Sequence, residues 1–287
     1  MTLLQLTYFN EVCRTQNFTK AAENLHVTQP TITNAVRDLE KEFHIRLLER
    51  ESKGIRLTEA GQTFLEMSIR LLDYSDWMRL VMQDKAGEQN CLRLGIPNMS
   101  NAACFPWFFS LLHQAHPEIE IITSHALSNN LLDELARGRL NMLIIPYHPD
   151  ENQYQSLVLL HTRFLFCVSS HHPLADRASV SFQDICHIPI LSFFGDRYLY
   201  QIGLPEKYQA NGNELQIVYR CSQINTLLEL IRSGEGCGFL LEEAFKEEDG
   251  IVGLPLEEDI PVTLYLVWTK ESARLSSVKK VLDVFRH

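Results

Sequence analysis

The chain of 287 residues has no apolar run long enough to cross a bilayer. It opens Met1-Thr2-Leu3-Leu4-Gln5, without the basic leader and small-residue cleavage site of a secretory signal, so a cytoplasmic protein that enters no membrane is expected. Low-complexity tracts and internal repeats are also missing, which excludes a repeat architecture. The seven cysteines (13, 91, 104, 167, 186, 221 and 237) are odd in number and scattered. None sits in a CxxC or Cys/His spacing, so no metal is expected, and they read as buried small hydrophobes. G-x-S-x-G, P-loop and G-x-G-x-x-G patterns are absent. Gly234-Glu235-Gly236-Cys237-Gly238 lies between a helical and a strand pattern, the wrong order for a phosphate loop, and His171-His172-Pro173 reads as a turn. No catalytic constellation emerges; neither enzymatic activity nor a cofactor is expected.

Positive charge is in short supply. The chain carries 26 Lys and Arg against 36 Asp and Glu, a net charge of −10, which at first argues against nucleic acid. The distribution softens this: residues 1–60 hold eight basic and eight acidic side chains, so the whole acidic excess lies downstream. The length suits two domains and the 45% hydrophobic content a sizeable core.

What is present is concentrated in residues 18–40. Two short helical patterns are joined by a tight connection. Thr28 is placed to cap the second helix, and Pro30 follows in its first turn, where no amide donor is lost. Ile32, Ala35, Val36 and Leu39 form one apolar stripe, and Ala21, Ala22 and Leu25 give a small-residue face for a close helix crossing. The remaining face of the second helix is Gln29, Thr33, Asn34 and Arg37, all hydrogen-bonding types. An ordinary helical hairpin with a polar outer face shows the same periodicity; a helix-turn-helix uses that face to read the major groove.

The detail resembles the LysR-type transcriptional regulators. Their signature of an Ala-Ala pair, a Leu, Ser/Thr-Gln-Pro-x-Ile/Val-Ser/Thr and Leu-Glu is matched by Ala21, Ala22, Leu25, Thr28, Gln29, Pro30, Ile32, Thr33, Leu39 and Glu40. The match continues through Leu47-Leu48-Glu49-Arg50 and Leu57-Thr58-Glu59-Ala60-Gly61. Asn34 stands where the family often has Arg or Lys, and Leu48 where Phe is usual. The resemblance implies DNA contact through Thr28, Gln29, Pro30, Thr31, Thr33, Asn34 and Arg37, with Arg50, Lys53 and Arg56 on a wing that holds phosphate. With few phosphates neutralised, a modest salt dependence is expected.

The chain organises into three parts: a winged helix-turn-helix (1–58), a linker helix and hinge (59–90), and an α/β domain (91–287). Helix 1 is expected over about 3–15 and wing strands around Ser52-Lys53-Gly54. Ala60, Phe64, Met67, Leu71, Tyr74, Met78 and Val81 keep a coiled-coil spacing along one long helix, a stripe too long for the small N-terminal domain to bury. From Cys91 strands alternate with helices, which argues for a parallel sheet. Helices are expected at Ala102–Ala115 and Asn129–Arg137, strands at Asn141–Pro146, Phe164–Ser169 and Pro261–Trp268.

This order, with Leu94-Gly95, Leu135 to Leu140, His172-Pro173-Leu174-Ala175 and Gly234 to Gly238, resembles the LysR effector domain and implies the two-lobed architecture of periplasmic binding proteins. Lobe I would cover about 91–161 and 266–287, lobe II about 162–265. Ligands of open α/β sheets lie beyond the carboxyl ends of strands, beside helix N-termini. Those positions are Met99, Ser100, Asn101, Ser128, Asn129, Tyr147, Phe194, Asn225 and Thr226, of which Ser128, Asn129 and Thr226 read equally well as plain helix caps. With no extra Arg or Lys among them, a small carboxylate effector fits best. The resemblance further implies a homodimer or homotetramer, a two-fold-related promoter site and contact with RNA polymerase. Some relatives sense oxidants through cysteines of the second domain, where Cys186, Cys221 and Cys237 lie. An enzyme fused to a DNA-binding module and a DNA-bending repressor without effector remain as alternatives.

Overall fold

The computed structural model describes residues 1–51, 54–87, 90–126, 128–193, 216–221, 223–245, 250–257 and 260–286. The chain divides into two compact units, Met1–Gln83 and Asp84–His287.

The first unit contains α1 (Leu3–Thr15), α2 (Phe18–Asn24), α3 (Gln29–Phe43), a hairpin of β1 (Leu48–Glu51) and β2 (Gly54–Leu57), and nearly all of α4 (Glu59–Lys85). Each helix start has a local cause. Thr2 and Gln5 form a reciprocal capping box on α1, and the Asn17 side chain accepts from the Thr19 and Lys20 amides of α2. Leu6, Phe9, Val12, Ala21, Ala22, Ile32, Val36 and Leu39 close one core, on which Phe64, Leu65 and Leu72 of α4 pack. The near-absence of a side chain at Ala21 and Ala22 lets α2 approach its neighbours closely.

The signature residues outside the helix-turn-helix hold the wing. The Glu40 carboxylate accepts from the amides of Leu47 and Leu48 at 2.8 and 3.2 Å and so fixes where β1 begins. The Thr58 hydroxyl donates to the Arg46 carbonyl at 2.7 Å and accepts from the Gly61 amide at 2.9 Å, tying the end of the wing to the first turn of α4. Leu48, in place of the usual Phe, packs half-buried at the margin of the core, a position where a change of apolar shape is tolerated.

In the second unit, β3 (Cys91–Gly95) is parallel to both β4 (Glu120–Ser124) and β5 (Met142–Ile145). The sheet continues antiparallel through β11 (Pro261–Trp268) to β6 (Gln155–Ser169). β6 serves two lobes. Residues 155–163 pair with β11, and from residue 164 onward it pairs with β9 (Gly238–Leu241) and β10 (Ile251–Pro255). β7 (Ile190–Phe193) and β8 (Ile217–Cys221) form a separate parallel pair. Of the helices, α5 (Asn98–Ala115), α6 (Ser128–Ala136) and α9 (Ser276–Phe285) accompany the first lobe, and α7 (Phe182–Ile185) and α8 (Ile224–Arg232) the second. β5 and β9 are buried along their whole length, as strands between helical layers are.

Two regions differ from the sequence expectation. The strand expected from Phe164 begins at Gln155, and its partner β10 has no counterpart in the sequence pattern. Helix α5 begins at Asn98 rather than Ala102, because Pro97 ends the extended segment and serves as N-cap. Asn141, where the family usually has Asp, is 1% exposed; its side-chain oxygen accepts from the Arg93 amide at 2.7 Å, a neutral bridge to β3 that buries no charge.

Candidate nucleic-acid interface and effector cleft

The turn between α2 and α3 depends on His26, whose left-handed backbone (φ 54°) lets the Val27 amide reach the Ala22 carbonyl at 3.0 Å. Thr28 then caps α3: its hydroxyl accepts from the Thr31 amide and pairs with the Thr31 hydroxyl at 2.8 Å. The Thr33 hydroxyl donates back to the Gln29 carbonyl at 3.0 Å. The hydroxyls of Thr28, Thr31 and Thr33 are therefore partly committed to the helix itself. Gln29, Asn34 and Arg37 are exposed on α3, and their side chains make no hydrogen bond among the described residues. An amide matches adenine N6 and N7, and a guanidinium matches guanine or phosphate. Pro30 is exposed in the same turn and adds only shape.

On the wing, Arg56 is ion-paired with Glu49 at 2.7 Å across the hairpin, directly opposite it in register. Contact with phosphate must compete with that carboxylate. Lys53 and the side chain of Arg50 lie outside the described residues.

In the second unit the carboxyl ends of β3 and β5 converge. Met99 and Ser100 are buried in the first turn of α5, Ser100 being 2% exposed with no hydrogen bond from its hydroxyl among the described residues. The helix N-cap is Pro97, which supplies no side-chain acceptor, so the first-turn amides of Met99 and Ser100 are uncapped. Beside them the Asn101 Oδ1 is buried without a hydrogen-bond partner, and so is the Tyr147 hydroxyl just beyond β5. Burial pushes the Tyr147 pKa up, opposed by the neighbouring Ser128 side chain. Ser128 is the first residue of α6. In the other lobe, α8 starts at Ile224 after Gln223, again without a side-chain cap. Asn225 and Thr226 thus lie inside its first turn, and the Thr226 hydroxyl reaches the Gln223 side chain at 3.4 Å. Helix α5 contacts β9, the Glu242–Ala244 turn and α8 of lobe II, which brings the two uncapped helices to neighbouring positions. Phe194 and the side chain of Asn129 fall outside the described residues.

Buried polar atoms without partners are costly, and their positions here are not readable from sequence. They depend on Pro97 starting α5 early and on Tyr147 lying beside the start of α6.

All seven cysteines are described, and Cys104, Cys167, Cys186, Cys221 and Cys237 are buried. Burial pushes Cys104 up to about 12, Cys237 to about 11 and Cys167 well above its ordinary range. Among the described residues, no group of three or more His, Cys, Asp or Glu is placed to hold a metal ion, and no helix is long and apolar enough to cross a membrane.

Comparison with known proteins agrees with this arrangement at both ends. Residues 3–62 match the bacterial regulatory helix-turn-helix protein, lysR family, and residues 85–287 match the LysR substrate binding domain. The DNA-binding transcriptional dual regulator OxyR of Escherichia coli (strain K12) is 25% identical over 292 residues, covering 100% of this chain and 95% of that protein. An uncharacterised HTH-type transcriptional regulator, YvbU, of Bacillus subtilis is 25% identical over 91% of this chain and 86% of its own. Among solved structures, full-length CbnR complexed with its target DNA has a TM-score of 0.73 at 21% identity, covering 100% of this chain and 99% of that one. A full-length OxyR variant from Pseudomonas aeruginosa has a TM-score of 0.66 at 23% identity, with 100% and 95% covered. The chain belongs to the LysR family of DNA-binding transcriptional regulators, with an N-terminal helix-turn-helix and a C-terminal effector-binding domain, and is not an enzyme.

Proposed function

We propose that the protein acts in the cytoplasm as a homodimer or higher assembly that binds a two-fold-related promoter site. In this reading Gln29 and Asn34 read adenine, Arg37 reads guanine or grips phosphate, and Arg50, Lys53 and Arg56 hold the backbone. The assembly would act on RNA polymerase at the promoter. Self-association is supported by α4, where Met67, Leu71, Tyr74, Met78 and Met82 are each between 42% and 66% exposed, although Phe64, expected in the same stripe, packs on the core with Leu65 and Leu72. A two-fold pairing of α4 would cover this row and set two recognition helices on the same face of DNA.

The effector proposed is a small carboxylate. The observation that carries this reading is the uncapped start of α5 beside Ser100 and the partnerless Asn101 Oδ1 and Tyr147 hydroxyl. Free amides and the helix dipole suit a carboxylate, and the two orphaned oxygens suit a hydroxyl or amine on the same molecule. Ser128, Asn129, Phe194, Asn225 and Thr226 would complete the lining. The ligand changes DNA binding only through a difference in its affinity for two arrangements of the assembly. A peroxide-responsive reading, suggested by relatives named as hydrogen peroxide-inducible genes activators, is the second one: Cys186, Cys221 and Cys237 are all buried, which limits access to them, and burial pushes Cys237 up to about 11.

The test is a thermal-shift screen of the full-length protein against small carboxylates, hydroxy acids and amino acids. A ligand at a hundred times its dissociation constant stabilises by about 2.7 kcal/mol. The expected hit is lost in Ser100→Ala. Uniform silence across the panel would favour an effector-free repressor, and a hit indifferent to Ser100→Ala would place the ligand elsewhere.

A further inference from the structure

We propose that α9 is a splint across the hinge, held before it at Asp84 and after it at Asn90, and that it carries movements of α5 to Asp84.

Helix α9 lacks a cap of its own. Its N-cap position is Leu275, an apolar residue with no side-chain bond to the first-turn amides. The missing acceptor comes from 192 residues earlier in the chain: the Asp84 carboxylate takes the Ser276 amide at 3.0 and 3.2 Å and also the Ser276 hydroxyl. A carboxylate at a helix N-terminus is favoured both as hydrogen-bond acceptor and by the dipole. Asp84 sits in the final turn of α4, which ends at Lys85, and is the first residue of the second unit.

One turn further along α9, Lys280 reaches the other side of the hinge. Its ammonium lies 2.8 Å from Glu118 and 3.5 Å from the Asn90 side-chain oxygen, directly before β3. The same helix thus binds the chain just before the connection, at Asp84, and just after it, at Asn90. At its far end Phe285 stacks on Phe108 of α5, with ring centroids 4.6 Å apart and an angle of 3° between the planes, and meets Trp107 edge-on at 5.6 Å. Helix α5 carries Met99 and Ser100 in its first turn. A shift of α5 is therefore passed through the Phe108–Phe285 stack to α9, and through Ser276 to Asp84. The regulatory part of this inference rests on the reading of α5 as the effector cradle; the splint itself does not.

The experiment is amide hydrogen exchange on the full-length protein, read in two windows, 84–87 and 276–278, together with the rate of tryptic cleavage after Lys85. In Asp84→Ala both windows are expected to exchange roughly tenfold faster, the fold-change of losing a good helix cap, and cleavage after Lys85 to quicken with them. Asp84→Asn, which keeps an equally good capping oxygen, is expected to restore most of the protection. Phe285→Leu, which leaves the cap in place, is expected to loosen 84–87 about threefold on its own and to add little in the Asp84→Ala background, as residues on one route behave. If Asp84→Ala fails to fold, Ser276→Ala removes the hydroxyl bond alone and is expected to loosen both windows about threefold. Fraying confined to 276–278, with 84–87 unchanged, would make Asp84 a cap and nothing more and would overturn the splint; so would no change in either window. A failed ligand screen leaves these results standing, and unchanged exchange leaves the ligand reading standing, so the two are separable.

Discussion

On the proposed pairing of α4, a double substitution Leu71→Lys and Met78→Lys is expected to leave the protein a monomer where the parent is a dimer, and to reduce its affinity for a two-half-site duplex by about a thousandfold or more. Both side chains lie on the exposed row of α4, which includes Met67, Tyr74 and Met82 and continues, toward the start of the helix, the stripe whose Phe64 packs on the core. Full burial of one such side chain contributes about 1.5–3 kcal/mol, so a two-fold seam that covers the row on both helices has a large apolar driving force. Lysines facing each other across the two-fold axis remove that force and add repulsion. The helix itself is expected to survive, because Lys is a good helix former and the residues that pack on the core, Phe64, Leu65 and Leu72, are untouched. Sedimentation velocity reads the assembly state and a titration on duplex DNA reads the affinity. A variant that stays dimeric with a folded helical spectrum would show that α4 is not the seam.

Gly61→Ala is expected to destabilise the DNA-binding unit by about 3 kcal/mol or more, a large share of the ~5–15 kcal/mol that holds a typical domain. Gly61 lies in the first turn of α4, where a Cβ would stand 2.0 Å from the Leu47 carbonyl oxygen and 2.9 Å from its carbon. Both are backbone atoms, so no rotamer change relieves the clash. The wing would have to move off α4, and Leu47 is itself anchored by Glu40 through its amide and by the Thr58 amide through its carbonyl. Ala is otherwise the better helix residue by about 1 kcal/mol, so propensity alone calls for the opposite sign. Chemical denaturation with a probe in the first unit decides between them: a stability equal to or above that of the parent would mean that α4 and the wing do not meet at Gly61.

The N-terminal unit is legible in the sequence because its signals are local. Thr28, Pro30 and the Ile32–Leu39 stripe specify α3 within a dozen residues, and α3 spans Gln29–Phe43 with that stripe buried. The Leu-Glu and Ala-Gly pairs of the signature acquire a cause only in three dimensions, Glu40 as an acceptor for the wing amides and Gly61 as the place where α4 meets the wing backbone. In the effector domain the limits follow from distance along the chain. Residues 155–163 of β6 show no regular alternation, since they owe their strand conformation to β11 a hundred residues later. β10 contains Gly253 and Pro255, both poor strand formers, and survives at the sheet edge. Of the candidate effector residues, Met99, Ser100 and Asn101 share the first turn of α5 after β3, and Tyr147 follows the parallel neighbour β5. Asn225 and Thr226, expected where a helix opens, lie in the first turn of α8, which starts at Ile224 after Gln223. The Arg56–Glu49 pair is equally hidden, being a register property of the hairpin.

The central claim is sequence-specific binding to two-fold-related DNA, and it is tested by selecting from a random duplex pool with the full-length protein and with Gln29→Ala. The expected result is enrichment of two inverted half-sites separated by one helical turn or more, with Gln29→Ala relaxing the preference at one position in each half-site at a cost of about 1–3 kcal/mol. Enrichment of no sequence, or of a single asymmetric site unaffected by Gln29→Ala, would contradict it.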